Sequence, residues 1–149
     1  MRHAVIPTIL TALILACAPP AAGVASGQAA PSFEAAGTDA AQAAAFLKTL
    51  QSAVSVGNCL KVASLIEFPL KAWAYGEPVT IETESEFHAK YRQVFTPDVK
   101  KAIADARPET LAASQDGVML DGGRVWFRPI AARKNALRIV AINEAAQPR

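Results

Sequence analysis

The sequence predicts an α+β fold, in which helices cover one face of an antiparallel sheet. Apolar residues recur with a period of about 3.6 before Phe68 and again after Thr83, which indicates helices. They recur with a period of about 2 between these segments and near the C-terminus, which indicates strands. The predicted order is therefore two helices, two strands, two helices and four strands. This order lacks the regular strand-helix alternation that is typical of a parallel α/β sheet.

Two helices are predicted at the start of the folded region. Thr38 and Asp39 can begin the first helix, and Gly57 ends it. Asn58 can cap a second, shorter helix that Pro69 prevents from continuing. Cys59 lies on the apolar stripe of this second helix, which predicts that its thiol packs in the core. The apolar positions are Phe46, Leu47, Leu50, Ala53 and Val54 in the first helix and Cys59, Val62, Ala63 and Ile66 in the second.

The segment 69–83 predicts a hairpin with its turn at residues 75–78. Successive side chains of a strand point to opposite faces of the sheet. We therefore expect the apolar set to face the helices and the basic and aromatic set to face away from them. The apolar set is Leu70, Ala72, Ala74, Val79 and Ile81, and the outward set is Lys71, Trp73 and Tyr75.

Two further helices follow the hairpin. Thr83 and Glu86 have the spacing of a capping box, which predicts a helix that extends to about Phe95. Thr96 followed by Pro97 indicates the start of another helix, which ends before Pro108. The apolar stripes are Phe87, Tyr91, Val94 and Phe95 in the first of these helices and Val99, Ala102, Ile103 and Ala106 in the second.

The remaining sequence predicts four strands, at residues 111–115, 118–120, 124–130 and 137–143. Gly122 and Gly123 allow the positive φ angles of a tight hairpin after Asp121. Val125 and Phe127 are expected to face the helices. The side chains expected on the opposite face of this strand are Arg124, Trp126 and Arg128.

The N-terminal residues predict an exported protein. No charged residue lies between Arg2 and Glu34, and the apolar run contains Pro7 and is too short to span a bilayer comfortably. Residues 1–25 are therefore interpreted as a signal peptide. Alternatively, residues 14–17 resemble the lipobox of bacterial lipoproteins, so that the signal is 1–16 and Cys17 carries lipid. The protein would then be periplasmic or lipid-anchored at the envelope.

The rest of the chain predicts a single domain. Residues 26–37 are interpreted as a flexible linker, 38–143 as one α+β domain and 144–149 as a frayed tail. With either processing site, Cys59 has no partner for an intrachain disulfide in the mature chain. The hydrophobic core is therefore expected to stabilise the domain.

The charge distribution is uneven, although 15 Lys and Arg nearly balance 13 Asp and Glu. This balance argues against a nucleic-acid partner. Residues 77–86 contain four acids and no base, whereas residues 124–149 contain six bases and one acid. We expect the acidic and basic segments to pair within the fold. The alternative is a basic surface for an acidic partner or for anionic lipid.

The element order and three segments together resemble the nuclear transport factor 2-like (cystatin-like) superfamily. The segments are GNCLKVASLIEFPL, EFHAKYRQVFTPDVKKAI and GVMLDGGRVWF, and the resemblance covers nearly all of 38–143. It points to the small exported bacterial members without assigned function. The resemblance implies a curved sheet wrapped around the N-terminal and middle helices, forming a cone that can hold a ligand. Some members are steroid isomerases or dehydratases, and others are binding or dimerisation modules.

The enzymes of the superfamily imply an inward carboxylate opposite a Tyr or a second acid, or a His with an Asp. In this sequence the acids fall at positions with structural roles: Asp116 and Asp121 in turns, and Glu86 and Asp98 at helix starts. His88 and Tyr91 remain as acid-base candidates beside the apolar stripe of the third helix. We expect no catalytic set, no metal site and no cofactor, because the ligand spacings and fingerprints of such sites are lacking.

We therefore predict a non-enzymatic exported module that binds through the sheet face or the cone cavity. Its partner would be a protein, an envelope component or a small apolar ligand, and a homodimer is possible through the same surface. Contact with a membrane is expected only through a lipid on Cys17. An isomerase- or dehydratase-type enzyme is the first alternative, and a secreted inhibitor or immunity-type protein is the second. The candidate interface residues are Lys71, Trp73, Tyr75, Arg124, Trp126 and Arg128.

Overall fold

The computed structural model describes residues 32–144. The predicted signal peptide, the lipidation candidate Cys17, residues 26–31 of the predicted linker and residues 145–149 of the tail lie outside this range. Four α-helices and six β-strands lie within it, and the α+β fold class is confirmed.

The first two helices begin where the sequence predicts, but the second ends at Ala63, and Ile66, which was predicted on its apolar stripe, belongs to the first strand. Helix α1 (Ala40–Ser55) is capped by Asp39, whose carboxylate accepts a 2.8 Å hydrogen bond from the backbone N–H of Gln42. Helix α2 (Cys59–Ala63) is capped by Asn58, whose side-chain oxygen accepts from Lys61 N–H at 2.9 Å. These bonds satisfy amides that have no partner inside the helix.

The middle helices also begin after their predicted caps, although the Glu86 carboxylate accepts from the backbone N–H of Glu82 and not from that of Thr83, as a capping box would require. Helix α3 (Glu84–Val94) begins after Thr83, whose hydroxyl accepts from the backbone N–H of Glu86 at 3.2 Å. Helix α4 (Pro97–Asp105) begins after Thr96 and has Pro97 at its first position, where no backbone N–H is needed. No helix within residues 32–144 is both long enough and apolar enough to cross a membrane.

The strands form one curved sheet that does not close into a barrel, in the order β2-β1-β6-β5-β4-β3. Neighbouring strands are antiparallel except for β1 and β6, which run parallel at the centre of the sheet. The prediction of a wholly antiparallel sheet was therefore wrong for β1 and β6. The periodicity of a strand shows which face each side chain takes, but it does not show in which direction the neighbouring strand runs. The strands are β1 (Ile66–Ala74), β2 (Glu77–Ile81), β3 (Ala112–Ser114), β4 (Gly117–Leu120), β5 (Val125–Ile130) and β6 (Ala136–Asn143).

The space between the sheet and the helices is filled by apolar side chains. The rings of Phe46 and Phe127 pack with their centroids 4.7 Å apart, and Leu50 and Phe87 are fully buried. Phe33 and Ala36 also pack on this core, so the packed part of the chain begins upstream of Thr38. The inward faces of β1 and β5 supply the sheet side of the core, as the alternation predicts.

Candidate functional site

The outer face of the sheet brings together side chains that are distant in the sequence. On this face Lys71 of β1 and Trp126 of β5 both lie opposite Ala141 of the intervening strand β6. Trp73 lies opposite Asn143, next along β6 on the same face. Arg128, two residues after Trp126 on β5, lies on the same face, whereas Arg124 lies in the turn before β5 and Tyr75 in the turn after β1. Four of the six candidate interface residues therefore share one surface. We call this surface the basic-aromatic face and define it as Lys71, Trp73, Trp126, Arg128 and Arg138.

Arg138 belongs to this face although the sequence analysis did not single it out. It lies on β6 directly opposite Arg128 of β5. Among residues 32–144 no carboxylate lies within ion-pair distance of either guanidinium, and the Nε of Arg138 is buried without a hydrogen-bond partner. Like charges directly opposite one another destabilise a sheet, and a buried donor without an acceptor is costly. This arrangement would be relieved by an anionic group placed between the two arginines.

Arg124 was predicted on the same strand as Trp126, but it lies in the turn that precedes β5, where other groups hold its side chain. Its Nε donates to the Asp121 carboxylate at 2.7 Å, and a second guanidinium nitrogen donates to the backbone carbonyl of Glu144. The Glu144 carboxylate accepts a 3.3 Å hydrogen bond from the backbone N–H of Gly76. The position that begins the predicted frayed tail is thus tied to both Arg124 and the β1-β2 turn.

Tyr75 lies at that turn and projects from the edge of the face. It is 75% exposed, compared with 43% for Trp73. Tyr75 and Gly76 form the two-residue turn between β1 and β2, with φ angles of 54° and 78°. The left-handed conformation is unfavourable for a bulky residue such as Tyr75.

The acidic and basic segments do not pair with each other in the described part of the chain. Glu84 contacts His88, and Glu86 contacts Lys90, both along helix α3. The C-terminal base Arg133 instead pairs with Glu67 at 3.3 Å. The expected pairing between segments 77–86 and 124–149 is therefore not found within residues 32–144; the two acids on α3 pair instead one turn away on their own helix. The basic character of the outer face is left largely uncompensated.

His88 and Tyr91, the two acid-base candidates, lie on the α3 side of the molecule, away from the outer face. His88 Nδ1 lies 3.0 Å from Cys59 Sγ, and His88 Nε2 lies 3.5 Å from Glu84 Oε1. Cys59 was expected to be a packing residue, and it does pack against the core while remaining partly exposed. No spacing rule in the sequence connects a cysteine on α2 to a histidine on α3, so this contact was missed.

The environment of these groups affects their ionisation. Burial, and to a lesser extent the nearby charge of Glu84, raise the pKa of the Cys59 thiol above its ordinary value. Burial and the proximity of Cys59 raise the pKa of the Tyr91 hydroxyl, which is buried without a hydrogen-bond partner. The Tyr91 ring stacks on Phe95 with a centroid distance of 5.2 Å. Both groups therefore retain their protons at neutral pH.

The acids considered for proton abstraction do not face the core. Asp98, Asp116 and Asp121 are exposed, and the carboxylate of the half-buried Glu86 accepts hydrogen bonds from Lys90 and from the backbone N–H of residue 82. A surface cleft of about 440 Å³ lies between α4 and the turn after β4. Its charged groups are already paired, Lys101 with Asp105 and Arg124 with Asp121. Among residues 32–144, no group of three or more His, Cys, Asp or Glu side chains is arranged to hold a metal ion.

Comparisons of the chain with protein-family models, curated proteins and solved structures found no match. The candidate sites consequently rest on the geometry of this chain alone. Two features are candidate functional sites: the basic-aromatic face, and the contact between the side chains of Cys59 and His88. The first was largely predicted from alternation along β1 and β5, and the second emerged only from the packing of α2 on α3.

Proposed function

We propose that the protein is an exported binding module whose basic-aromatic face binds an acidic segment of another protein. The observation that carries this proposal is the opposition of Arg128 and Arg138 without a carboxylate partner in the described chain. A carboxylate between two guanidinium groups accepts charge-assisted hydrogen bonds, which are stronger than those between neutral groups. An aspartate- or glutamate-rich segment supplies such carboxylates at successive positions.

The aromatic residues suit the same kind of partner. Trp73 and Trp126 present broad, partly exposed rings beside the cationic side chains. Tryptophan and arginine are enriched among residues that contribute most to protein interfaces. Lys71, on the same row as Trp126, adds a further cation to the surface. Charge would steer the acidic segment to the face, and contact with the rings would slow its release.

The filled interior favours the face over the cone cavity as the binding surface. Phe46, Leu50, Phe87 and Phe127 occupy the centre of the domain and are at most 8% exposed. A ligand of ordinary size needs a cleft of roughly 300 Å³ or more. Occupation of the interior would require these side chains to move out of a close-packed core. The same packing argues against the isomerase or dehydratase alternative.

Intrinsic fluorescence provides a direct test, because the chain has two tryptophans and both lie on the basic-aromatic face. The purified protein would be titrated with a ten-residue polyglutamate peptide and with a polylysine peptide of equal length. We expect polyglutamate to change the tryptophan emission and polylysine to leave it unchanged. Binding should weaken as salt rises, because exposed charges are screened over about 8 Å at physiological ionic strength.

The decisive variant is the double substitution Arg128→Gln and Arg138→Gln, which should weaken polyglutamate binding about tenfold or more. The matched control is Arg92→Gln with Arg107→Gln, which removes the same charge from exposed positions outside the face. Equal binding by the two double variants would contradict the proposal. So would preferential binding to anionic lipid vesicles or to a duplex DNA oligonucleotide, or a salt-dependent self-association that accounts for the fluorescence change.

A further inference from the structure

The contact between Cys59 and His88 indicates a second, independent site. Cys59 Sγ lies 3.0 Å from His88 Nδ1, and the opposite ring nitrogen lies 3.5 Å from the Glu84 carboxylate. We propose that Cys59 is a thiol-disulfide exchange site, in which His88 accepts the thiol proton and Cys59 forms a mixed disulfide with a low-molecular-weight disulfide. This proposal does not depend on the function proposed for the basic-aromatic face.

The three side chains have the relative positions that activation of a thiol requires. A nucleophile must lie within hydrogen-bond reach of a base, and a third group must orient that base. With a proton on Nε2, His88 faces the Glu84 carboxylate and presents the lone pair of Nδ1 to the Cys59 thiol. Glu84 and His88 are one helical turn apart on α3, so the helix itself holds the orienting pair in place.

The thiol is also accessible and has no disulfide partner in the described chain. Cys59 is a free, partly exposed cysteine at the first position of α2. The chain on either side is open to solvent, since Val56 and Leu60 are 73% and 69% exposed. The other cysteine of the chain is Cys17, which lies outside the described residues. Because Cys59 is itself partly exposed, a small disulfide can approach it from solution.

The environment of Cys59 disfavours its thiolate, so attack by the sulfur requires a base that accepts the thiol proton. Burial and the charge of Glu84 raise the pKa of the Cys59 thiol, so the resting group at neutral pH is the thiol rather than the reactive thiolate. The titratable groups around the thiol are Glu84, His88 and the protonated hydroxyl of Tyr91, all on α3. Lys100 of α4 lies over the Tyr91 ring, with its Nζ 5.2 Å from the centroid of the ring. Proton transfer to His88 during attack supplies the thiolate that the resting site lacks.

The reaction balances without a further oxidant. The Cys59 proton moves to His88 Nδ1 as the sulfur attacks one sulfur of a disulfide RSSR. A bond forms between Cys59 Sγ and that sulfur, and the S–S bond of RSSR breaks with its electron pair on the leaving RS⁻. His88 then returns the proton to RS⁻, which leaves as RSH. The products are the Cys59–SR mixed disulfide and one thiol.

The test is the rate of Cys59 modification by a chromogenic aromatic disulfide, followed by the absorbance of the released thiolate and by mass spectrometry. Cys17→Ser serves as the background, so that the released thiolate reports Cys59 alone, and adding Cys59→Ser should abolish the reaction. His88→Gln should slow it about 10²-fold at pH 7, a typical effect of losing a general base. As the pH rises and the thiol ionises by itself, the rates of His88→Gln and of the wild type should converge.

Glu84 and Glu86 provide a matched pair, because both are glutamates on α3 and only Glu84 contacts His88. We expect Glu84→Gln to lower the rate at pH 7 and Glu86→Gln to leave it unchanged. Equal rates for the wild type and His88→Gln at pH 7 would overturn the proposal. A deficit of His88→Gln that persists at high pH would do so too, because it would indicate a structural effect on access to the thiol. Glu84→Gln, whose side chain is exposed, decides the matter if His88→Gln does not fold.

Discussion

Lys71 and Trp126 lie opposite the same residue, Ala141, from the two sides of β6. Ala141 is the small residue at the centre of the row, so the two larger side chains flank an open position on the basic-aromatic face. The row exists because β6 inserts between β1 and β5, parallel to one and antiparallel to the other. A side chain introduced at this position would project into the centre of the proposed interface.

Substitution of Ala141 should therefore tune binding according to charge. Ala141→Glu places a carboxylate beside Lys71 and should weaken polyglutamate binding several-fold, whereas Ala141→Lys should strengthen it. Ala141 is half-buried, so we expect both variants to lower the free energy of unfolding, by about 1 kcal/mol and to a similar extent. Fluorescence titration and urea unfolding of both variants measure the two effects. A parallel change in binding by both variants would show that the size of the side chain, and not its charge, matters.

Arg128→Glu should stabilise the domain while it impairs binding. The substitution replaces a like-charge pair with an opposite-charge pair against Arg138, which is worth about 0.2–1 kcal/mol across neighbouring strands. We expect a higher urea midpoint at low salt, with the difference shrinking at high salt. Arg92→Glu, on the exposed surface of α3, is the control for the change in net charge. A lower midpoint for Arg128→Glu at low salt would contradict the repulsion inferred here.

The β1-β2 turn contains a residue that is poorly suited to its conformation. Tyr75 has a φ angle of 54°, and asparagine is favoured at such positions in two-residue hairpin turns. Tyr75→Asn should raise the free energy of unfolding by roughly 1 kcal/mol, as measured by urea denaturation. Tyr75→Val should lower it, because a β-branched side chain is less tolerated at positive φ. If Tyr75→Asn also weakens polyglutamate binding, the exposed ring belongs to the binding surface.

Two glycines with positive φ angles should differ in their tolerance of a methyl group. A Cβ at Gly117 would lie 2.8 Å from the backbone carbonyl oxygen of Phe127, whereas a Cβ at Gly57 would meet nothing within 4 Å. Gly57→Ala should cost about 1 kcal/mol from its backbone conformation alone. Gly117→Ala should cost more, because strands β4 and β5 must separate to relieve the contact. Chemical denaturation of the two variants would test this order.

The partly buried Cys59 thiol should make the fold sensitive to alkaline pH. Because the pKa of Cys59 is raised in the folded state, the unfolded thiol ionises first as the pH increases. Its contribution to stability is complete below the ordinary thiol pKa and is lost as the pH rises through the pKa of the folded state. The free energy of unfolding should therefore fall less steeply above neutral pH in Cys59→Ser than in the wild type. Urea unfolding under reducing conditions gives both curves, and identical slopes would disprove the effect.

Much of the architecture could be predicted because its signals are local. The caps Asp39, Asn58, Thr83 and Thr96 each accept the hydrogen bond expected of them. Alternation along β1 placed Lys71 and Trp73 outward, since the side-chain period of a strand is fixed by its geometry. The face predicted from the sequence lacked Arg138, which matters because the strand register places it directly opposite Arg128. Strand register depends on pairing between distant segments, which no local pattern specifies.

The sequence by itself determined the helices, most of the strands and their buried faces, because backbone hydrogen bonding and side-chain periodicity act over a few residues. The start of β1 at Ile66 was missed, because residue 66 also fits the helical spacing of the preceding segment. The tertiary structure decided that β6 lies between β1 and β5, that Arg128 meets Arg138, and that the Cys59 thiol reaches His88. Each of these contacts joins elements whose relative position follows from how the whole apolar core packs. The chemistry of both proposed sites depends on charges and protons brought within a few ångströms of one another, and only the folded chain sets those distances.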